Sequence, residues 1–206
     1  MKLKSSFGVF CTVNNKILCI QRHASIAVVD ILLGRFKSYS QLKELIFNLV
    51  EYELLFLKKE SNIFVVEKFF KLQTPKKIKN FWVTLRIFFK EAKVKQCYFK
   101  DTEILLPKGN SFKNEKALNT AKREFKEETG NEIFKLDKND FLSEVYPCPN
   151  NKVYYNNVYF KSTLNKIDIN FTCKEVKQIH LLTKKEFKNK IDPKRVSLIH
   201  LINDFK

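Results

Sequence analysis

Residues 7–13 (FGVFCTV) are mostly apolar, the polar pair Asn14-Asn15 interrupts them, and a second apolar run, ILCI, covers 17–20. That pattern predicts a strand, a turn and its hairpin partner. SIAVVDILLGRF (25–36) is apolar and broken by Gly34. From Ser38 the period changes. Leu42, Leu45, Ile46, Leu49 and Val50 fall at helical spacing, as do later apolar residues through Leu57. A second apolar block, IFVVEKFF, follows Glu60-Ser61-Asn62, and Pro75 precedes a third helical stretch, IKNFWVTLRIFFKEA. Residues 38–96 therefore read as a helical insertion between parts of a sheet. The strand signal returns at Tyr98 and ends at EILLP (103–107). Further strands are predicted over 141–146, 153–160 and 179–182. Thr183 with Glu186 has the spacing of a capping box, and Asp192-Pro193 opens a final helix through VSLIHLINDF.

Composition adds a charge to this α/β pattern. The chain has 206 residues, 44% of them hydrophobic and 30% charged, enough for a sizeable core and too apolar for global disorder. Lys plus Arg number 39 against 22 acidic residues, a net charge of +17. Such a balance favours a polyanionic partner, such as nucleic acid, phosphoinositides or a membrane surface. An AT-rich genome would also raise Lys, Asn, Ile, Phe and Tyr at the expense of Gly, which numbers 4. The cysteines, Cys11, Cys19, Cys97, Cys148 and Cys173, are odd in number and form no CxxC pair, as expected of a reducing, intracellular compartment. His23, His180 and His200 are too scattered for a His/Cys zinc site. No apolar run reaches the roughly 18–20 residues that span a bilayer, so no membrane insertion is expected.

The segment GNSFKNEKALNTAKREFKEETGN (109–131) stands apart, because it crowds carboxylates into a basic chain. Its helix is predicted from about residues 114–115 to a cap at Gly130. Leu118, Ala121 and Phe125 form an apolar stripe, and Glu124, Glu127 and Glu128 share a neighbouring face. Like charges at this spacing repel, and they sit at the helix end that disfavours anions. A hard divalent cation would reverse the penalty, since clustered carboxylates are what Mg²⁺ or Mn²⁺ binds. Neutralisation by Lys116, Lys122 and Lys126 on a solvated face is the simpler alternative.

The spacing Gly109, Glu115, then Arg123-Glu124-Phe125-Lys126-Glu127-Glu128-Thr129-Gly130 resembles the signature of the Nudix hydrolases. Asn131 stands where the family usually has an aliphatic residue. The resemblance implies an α/β/α sandwich with a mixed sheet, here residues 1–37 and 97–206, interrupted by the helical subdomain at 38–96. It implies hydrolysis of a nucleoside diphosphate linked to another group. Glu124, Glu127 and Glu128 would ligate Mg²⁺ or Mn²⁺, one of them also serving as base. Gly109 would offer its carbonyl to a metal, and Arg123 and Glu115 would brace the loop–helix–loop. Glu144 and Glu175 are further candidate ligands or acid/base groups.

A second resemblance is to the mRNA-decapping Nudix enzymes of poxviruses and related large DNA viruses. It rests on ILLGRF (31–36), a helical insertion, and ILLPKG leading into the motif. It implies cleavage of capped mRNA to methylated guanosine diphosphate and monophosphate-ended RNA, in a host cytoplasm if the protein is viral. Cap recognition calls for aromatic planes around a cationic guanine, with Phe36, Tyr39, Trp82, Tyr154 and Tyr155 as candidates. The RNA body would lie on a basic surface that includes Lys76, Lys77, Lys79, Arg86 and Lys90. The alternatives are hydrolysis of small diphosphates, such as nucleotide derivatives or diphosphoinositol polyphosphates, and a non-catalytic RNA-binding protein.

Overall fold

The computed structural model describes residues 2–92, 102–147, 153–171, 173–191, 198 and 202. Cys97, Cys148, Tyr98, His200 and nearly all of the expected final helix lie outside them. The chain divides into two compact units, 1–21 with 104–206, and 22–103.

The first unit is built on a mixed sheet. Strand β1 (Lys2–Val13) runs antiparallel to β2 (Lys16–Arg22) through a tight turn. Asn14 and Asn15 both take left-handed conformations there, with φ 50 and 61. That is the primed turn geometry, and Asn tolerates it better than most residues. Two-residue strands β3 (Ile104–Leu105) and β4 (Lys108–Gly109) pair with β2 and β1. Further on, β5 (Phe141–Pro147), β6 (Val153–Leu164) and β7 (Val176–Leu182) complete a seven-stranded sheet, with main order β3-β2-β1-β6-β5 and β7 against β2. β1 and β6 are parallel over the whole of β1. Its mostly polar start, Lys2 to Ser6, is recruited by that pairing, so the strand begins earlier than the apolar run at 7–13 predicts.

Alternation places a separate core on each face of the sheet. Val9, Cys11, Val13 and Phe160 pack with Ala121 and Phe125 of helix α6 (Ala117–Thr129). Phe10, Leu142 and Tyr159 pack with Phe187 of helix α7 (Lys184–Lys190). This is the expected α/β/α layering. α6 begins at Ala117, later than predicted, because Asn114 sits at φ 66 and cannot join a right-handed helix. It ends at Gly130, whose φ of 69 suits a left-handed cap. At α7 the capping box forms in both directions: Thr183 Oγ1 accepts from Glu186 N, and Glu186 accepts from Thr183 N.

The second unit is helical: α1 (Ile26–Leu32), α2 (Tyr39–Phe47), α3 (Glu51–Lys59), α4 (Ile63–Phe70) and α5 (Lys76–Glu91). α1 groups with these helices, so the division falls before it, whereas the sequence pattern placed residues 25–36 with the sheet. Its Val28, Ile31 and Leu32 share one core with Leu42, Leu54, Leu57, Phe70, Trp82 and Phe89. The stretch that reads as one helix from Ser38 to Leu57 is two, broken at residues 48–50, where caps interrupt a continuous spiral. Asn48 closes α2, its Nδ2 donating to Glu44 O, and Glu53 accepts from Val50 N at the start of α3.

Candidate active site

The site is assembled where β4 leads into α6. Pairing of Gly109 with Phe7 holds the β4 backbone against β1. The Glu124 carboxylate lies directly on the Gly109 α-carbon: a Cβ there would come within 2.1 Å of Glu124 Cδ and 2.2 Å of each oxygen. Only glycine fits. Glu128, nearly buried, accepts a hydrogen bond from Lys108 N at 2.9 Å. Glu127 is more exposed and pairs with Arg123 at 2.9 Å.

Arg123 organises the loop before the helix. Its Nε and Nη2 donate to the two oxygens of Glu115 at 3.0 and 3.1 Å, a bidentate fork. Nη2 also donates to Asn110 O at 3.0 Å, and Nη1 to Glu124 and Glu127 at 2.8 and 2.9 Å. The Phe112 ring stacks against the guanidinium, 4.0 Å away. Glu115 in turn accepts from Phe112 N. Hydrogen bonds from Arg123 and then Phe112 N hold the Glu115 carboxyl down at about 2, and the same partnership raises the Arg123 pKa. Glu124 behaves oppositely. Burial pushes its proton affinity up, Arg123 opposes this, and the charges of Glu127 and Glu175 add to it. Glu175 therefore lies close enough to Glu124 to be felt, just ahead of β7.

Chemically, this is a set of hard oxygen donors beside a glycine carbonyl, which suits Mg²⁺ or Mn²⁺. Among the described residues, no three His, Cys, Asp or Glu side chains converge as a ready-made metal cluster. Glu124 and Glu127 instead share one nitrogen of Arg123. A divalent cation would have to draw those oxygens from an arginine that keeps its fork to Glu115.

No protein-family model matches the sequence, and no curated protein matches it. Solved structures do. A Nudix hydrolase from Nitrosomonas europaea superposes with a TM-score of 0.51 and 10% identity, over 99% of this chain and 88% of that one. A MutT protein from Methanosarcina mazei Go1 gives 0.50 and 9%, over 100% of this chain and 96% of that one. The fold is that of the Nudix hydrolases. In this Nudix fold the β4–α6 junction carries the whole 109–131 motif. Asn131, at the aliphatic position, makes reciprocal bonds with Asp168: Nδ2 donates to Asp168 O at 3.1 Å, and Oδ1 accepts from Asp168 N at 2.9 Å. Hydrogen bonds thus hold the loop that an aliphatic residue would hold by packing.

The remaining candidates scatter. Glu144 is buried on β5, accepting from Asn157 Nδ2 at 2.7 Å and Tyr159 Oη at 3.3 Å. Ser6 Oγ donates to Asn157 Oδ1 at 2.5 Å, so Ser6, Asn157 and Glu144 form one polar row across three strands. Sequence reasoning missed Ser6, Asn157 and Phe112. The visible trace was Asn157, an uncharged polar side chain inside an aromatic strand. Tyr154 and Tyr155 are half-buried on β6. The other three aromatic candidates are in the helical unit. Trp82 is 5% exposed with its Nε1 donating to Ser61 O, and Phe36 packs on the core, so neither offers an open plane. Tyr39 is exposed, tilted on Phe88 and topped by Lys43. Of the α5 cations, Lys76, Lys77 and Lys90 are exposed, Lys79 pairs with Glu67 at 3.1 Å, and Arg86 is half-buried.

Proposed function

We propose that this protein is a divalent-cation-dependent hydrolase of phosphoanhydride bridges and that its substrate is capped RNA. The observation that carries the first part is the Glu124 carboxylate seated on Gly109, with Glu127 and Glu128 on the same helix and Arg123 binding the loop. Glu124, Glu127, Glu128 and the Gly109 carbonyl would hold the cation. When bound, Mg²⁺ or Mn²⁺ would neutralise the bridging phosphates and acidify the attacking water. Arg123 and Glu115 keep the loop fixed, so that only the Glu124 and Glu127 side chains have to turn from the arginine to the cation. The net charge of +17 supports a long polyanion held outside an acidic centre.

The test is incubation with cap-labelled RNA and Mn²⁺ or Mg²⁺, with products identified. Methylated guanosine diphosphate and monophosphate-ended RNA are expected, with cleavage falling steeply as salt rises. Faster cleavage of free cap dinucleotide, a nucleoside diphosphate derivative or a diphosphoinositol polyphosphate would transfer the reading to small diphosphates. RNA binding with no hydrolysis of any of these would leave a non-catalytic RNA-binding protein.

A further inference from the structure

The helical unit carries a face that the hydrolytic site does not use. α4 and α5 meet there, where Lys79 pairs with Glu67 and stands 4.9 Å over the Phe64 ring. From that junction α5 turns outward Lys76, Asn80, Val83, Ile87 and Lys90, which follow one another at helical steps and form a single stripe. Val83 is 72% exposed and Ile87 51%. On α4, Phe64 is 65% exposed, and Val65 and Phe69 are also open to solvent. Exposed cations bracket these apolar groups: Lys68 and Lys71 at the end of α4, Lys76 and Lys77 at the start of α5, Lys90 at its end. The acids on these helices are Glu67, which Lys79 and Thr74 occupy, and Glu91.

We infer that this α4–α5 face docks the protein on an anionic lipid surface. An exposed apolar residue standing alone needs no explanation. Here Val83 and Ile87 share one stripe of α5, with Phe64 beside Lys79 of the same helix, which costs free energy in water and is recovered only against an apolar bed. The occupant must also be anionic, because the rim is cationic. An RNA backbone supplies the anion and leaves Val83 and Ile87 wet. The headgroup region of an anionic membrane supplies both: aliphatic and Phe side chains enter the acyl boundary while lysine stems lie along it with their ammonium groups at the phosphates. No helix of the described residues is long and apolar enough to cross a membrane, so the contact is peripheral.

The experiment is co-sedimentation of the full chain with phosphatidylcholine vesicles, with and without about 30% phosphatidylserine, at about 0.15 M salt. Binding is expected to the phosphatidylserine vesicles and to be weak on the others. The Val83→Ser/Ile87→Ser double variant should lose vesicle affinity by about tenfold or more, with unchanged circular dichroism and unchanged affinity for uncapped RNA. Val83→Trp should bind at least as well, with emission shifted to the blue by anionic vesicles; the natural Trp82 is buried and reports little of this. Equal binding to both vesicle types, no binding by the natural chain, or unchanged affinity in the double variant would overturn the inference. A parallel loss of RNA affinity would give the face to RNA.

Discussion

Glu53 in the helical unit and Glu124 beside β4 are both carboxylates drawn out of water, and burial raises the proton affinity of each. Their partners differ. Glu53 is fully buried and accepts from Ser25 N at 2.7 Å, Ser25 Oγ at 2.6 Å and Val50 N at 3.2 Å. Ser25 and Val50 are the caps of α1 and α3, so one carboxylate sits at the positive ends of two helices. All of these donors are neutral and belong to the folded backbone or a cap. Glu124 shares one arginine nitrogen with Glu127 and feels two further negative charges. The first arrangement is complete in itself. The second leaves carboxylates competing for one cation, an arrangement that a divalent ion would relieve.

If that contrast is right, removing charge should hurt the two places in different ways. The largest effect is expected from Glu127→Gln or Glu128→Gln, each of which should lower hydrolysis of a diphosphate bridge by about 100-fold or more. Thermal stability should hold, because the substitutions also relieve repulsion on α6. Near-normal turnover in both variants would remove the cation site from these residues. Gly109→Ala is next. Its methyl group meets the Glu124 carboxylate and must displace it, so activity should fall by about tenfold or more, since a misplacement of about 1 Å can cost that much. Full activity in that variant would show that the Glu124 position against β4 is not what the reaction uses.

Glu53→Ala should have little to do with chemistry and much with folding. It leaves Ser25 N and Val50 N without their acceptor inside the helical unit, a loss of about 2–4 kcal/mol measured by urea unfolding. A change below about 0.5 kcal/mol, the range of an ordinary surface substitution, would show that water replaces the carboxylate and that the latch is dispensable.

The sequence made these two places unequally readable. α6 was legible because an apolar stripe and a carboxylate stripe run side by side at helical spacing, with a glycine to stop them. The mixed-sheet fold class followed from the resemblance that this motif carries. The Glu53 latch was not legible. It joins Ser25, in a segment that reads separately, to Val50 and Glu53, which lie inside what reads as one unbroken apolar periodicity. α1 was hidden for another reason: its open side carries the apolar Ile26 and Val29 beside Asp30, so polar positions do not mark its period. The Ser6–Asn157–Glu144 row depends on β1 running parallel to β6, and that long-range pairing leaves no local trace. Nor does spacing alone say that Trp82 turns into a core while Val83 faces out.

Acid should separate the two regions by sign, and this is the smallest expected effect. The folded-state pKa of Glu53 is raised, so the folded protein holds that proton more tightly than the unfolded chain does. Its contribution to stability is full below the unfolded value near 4.5 and is lost as pH rises through the folded value. Glu115 is lowered to about 2 by Arg123, so its contribution is full above about 4.5 and is lost as pH falls towards 2. Other carboxylates titrate in the same range, so each contribution has to be read as a difference from a variant. Subtracting the unfolding free energy of Glu53→Gln from that of the natural chain should give a curve that falls as pH rises above about 4.5 through the raised folded value. The same subtraction with Glu115→Gln should give a curve that falls from pH 5 to pH 3. Hydrogen exchange can assign the two, with α1 and α3 protected more at the acid end and residues 110–115 protected less. Two curves of the same sign would mean that the neutral donors at Glu53 outweigh its burial, and that the two carboxylates differ only in degree.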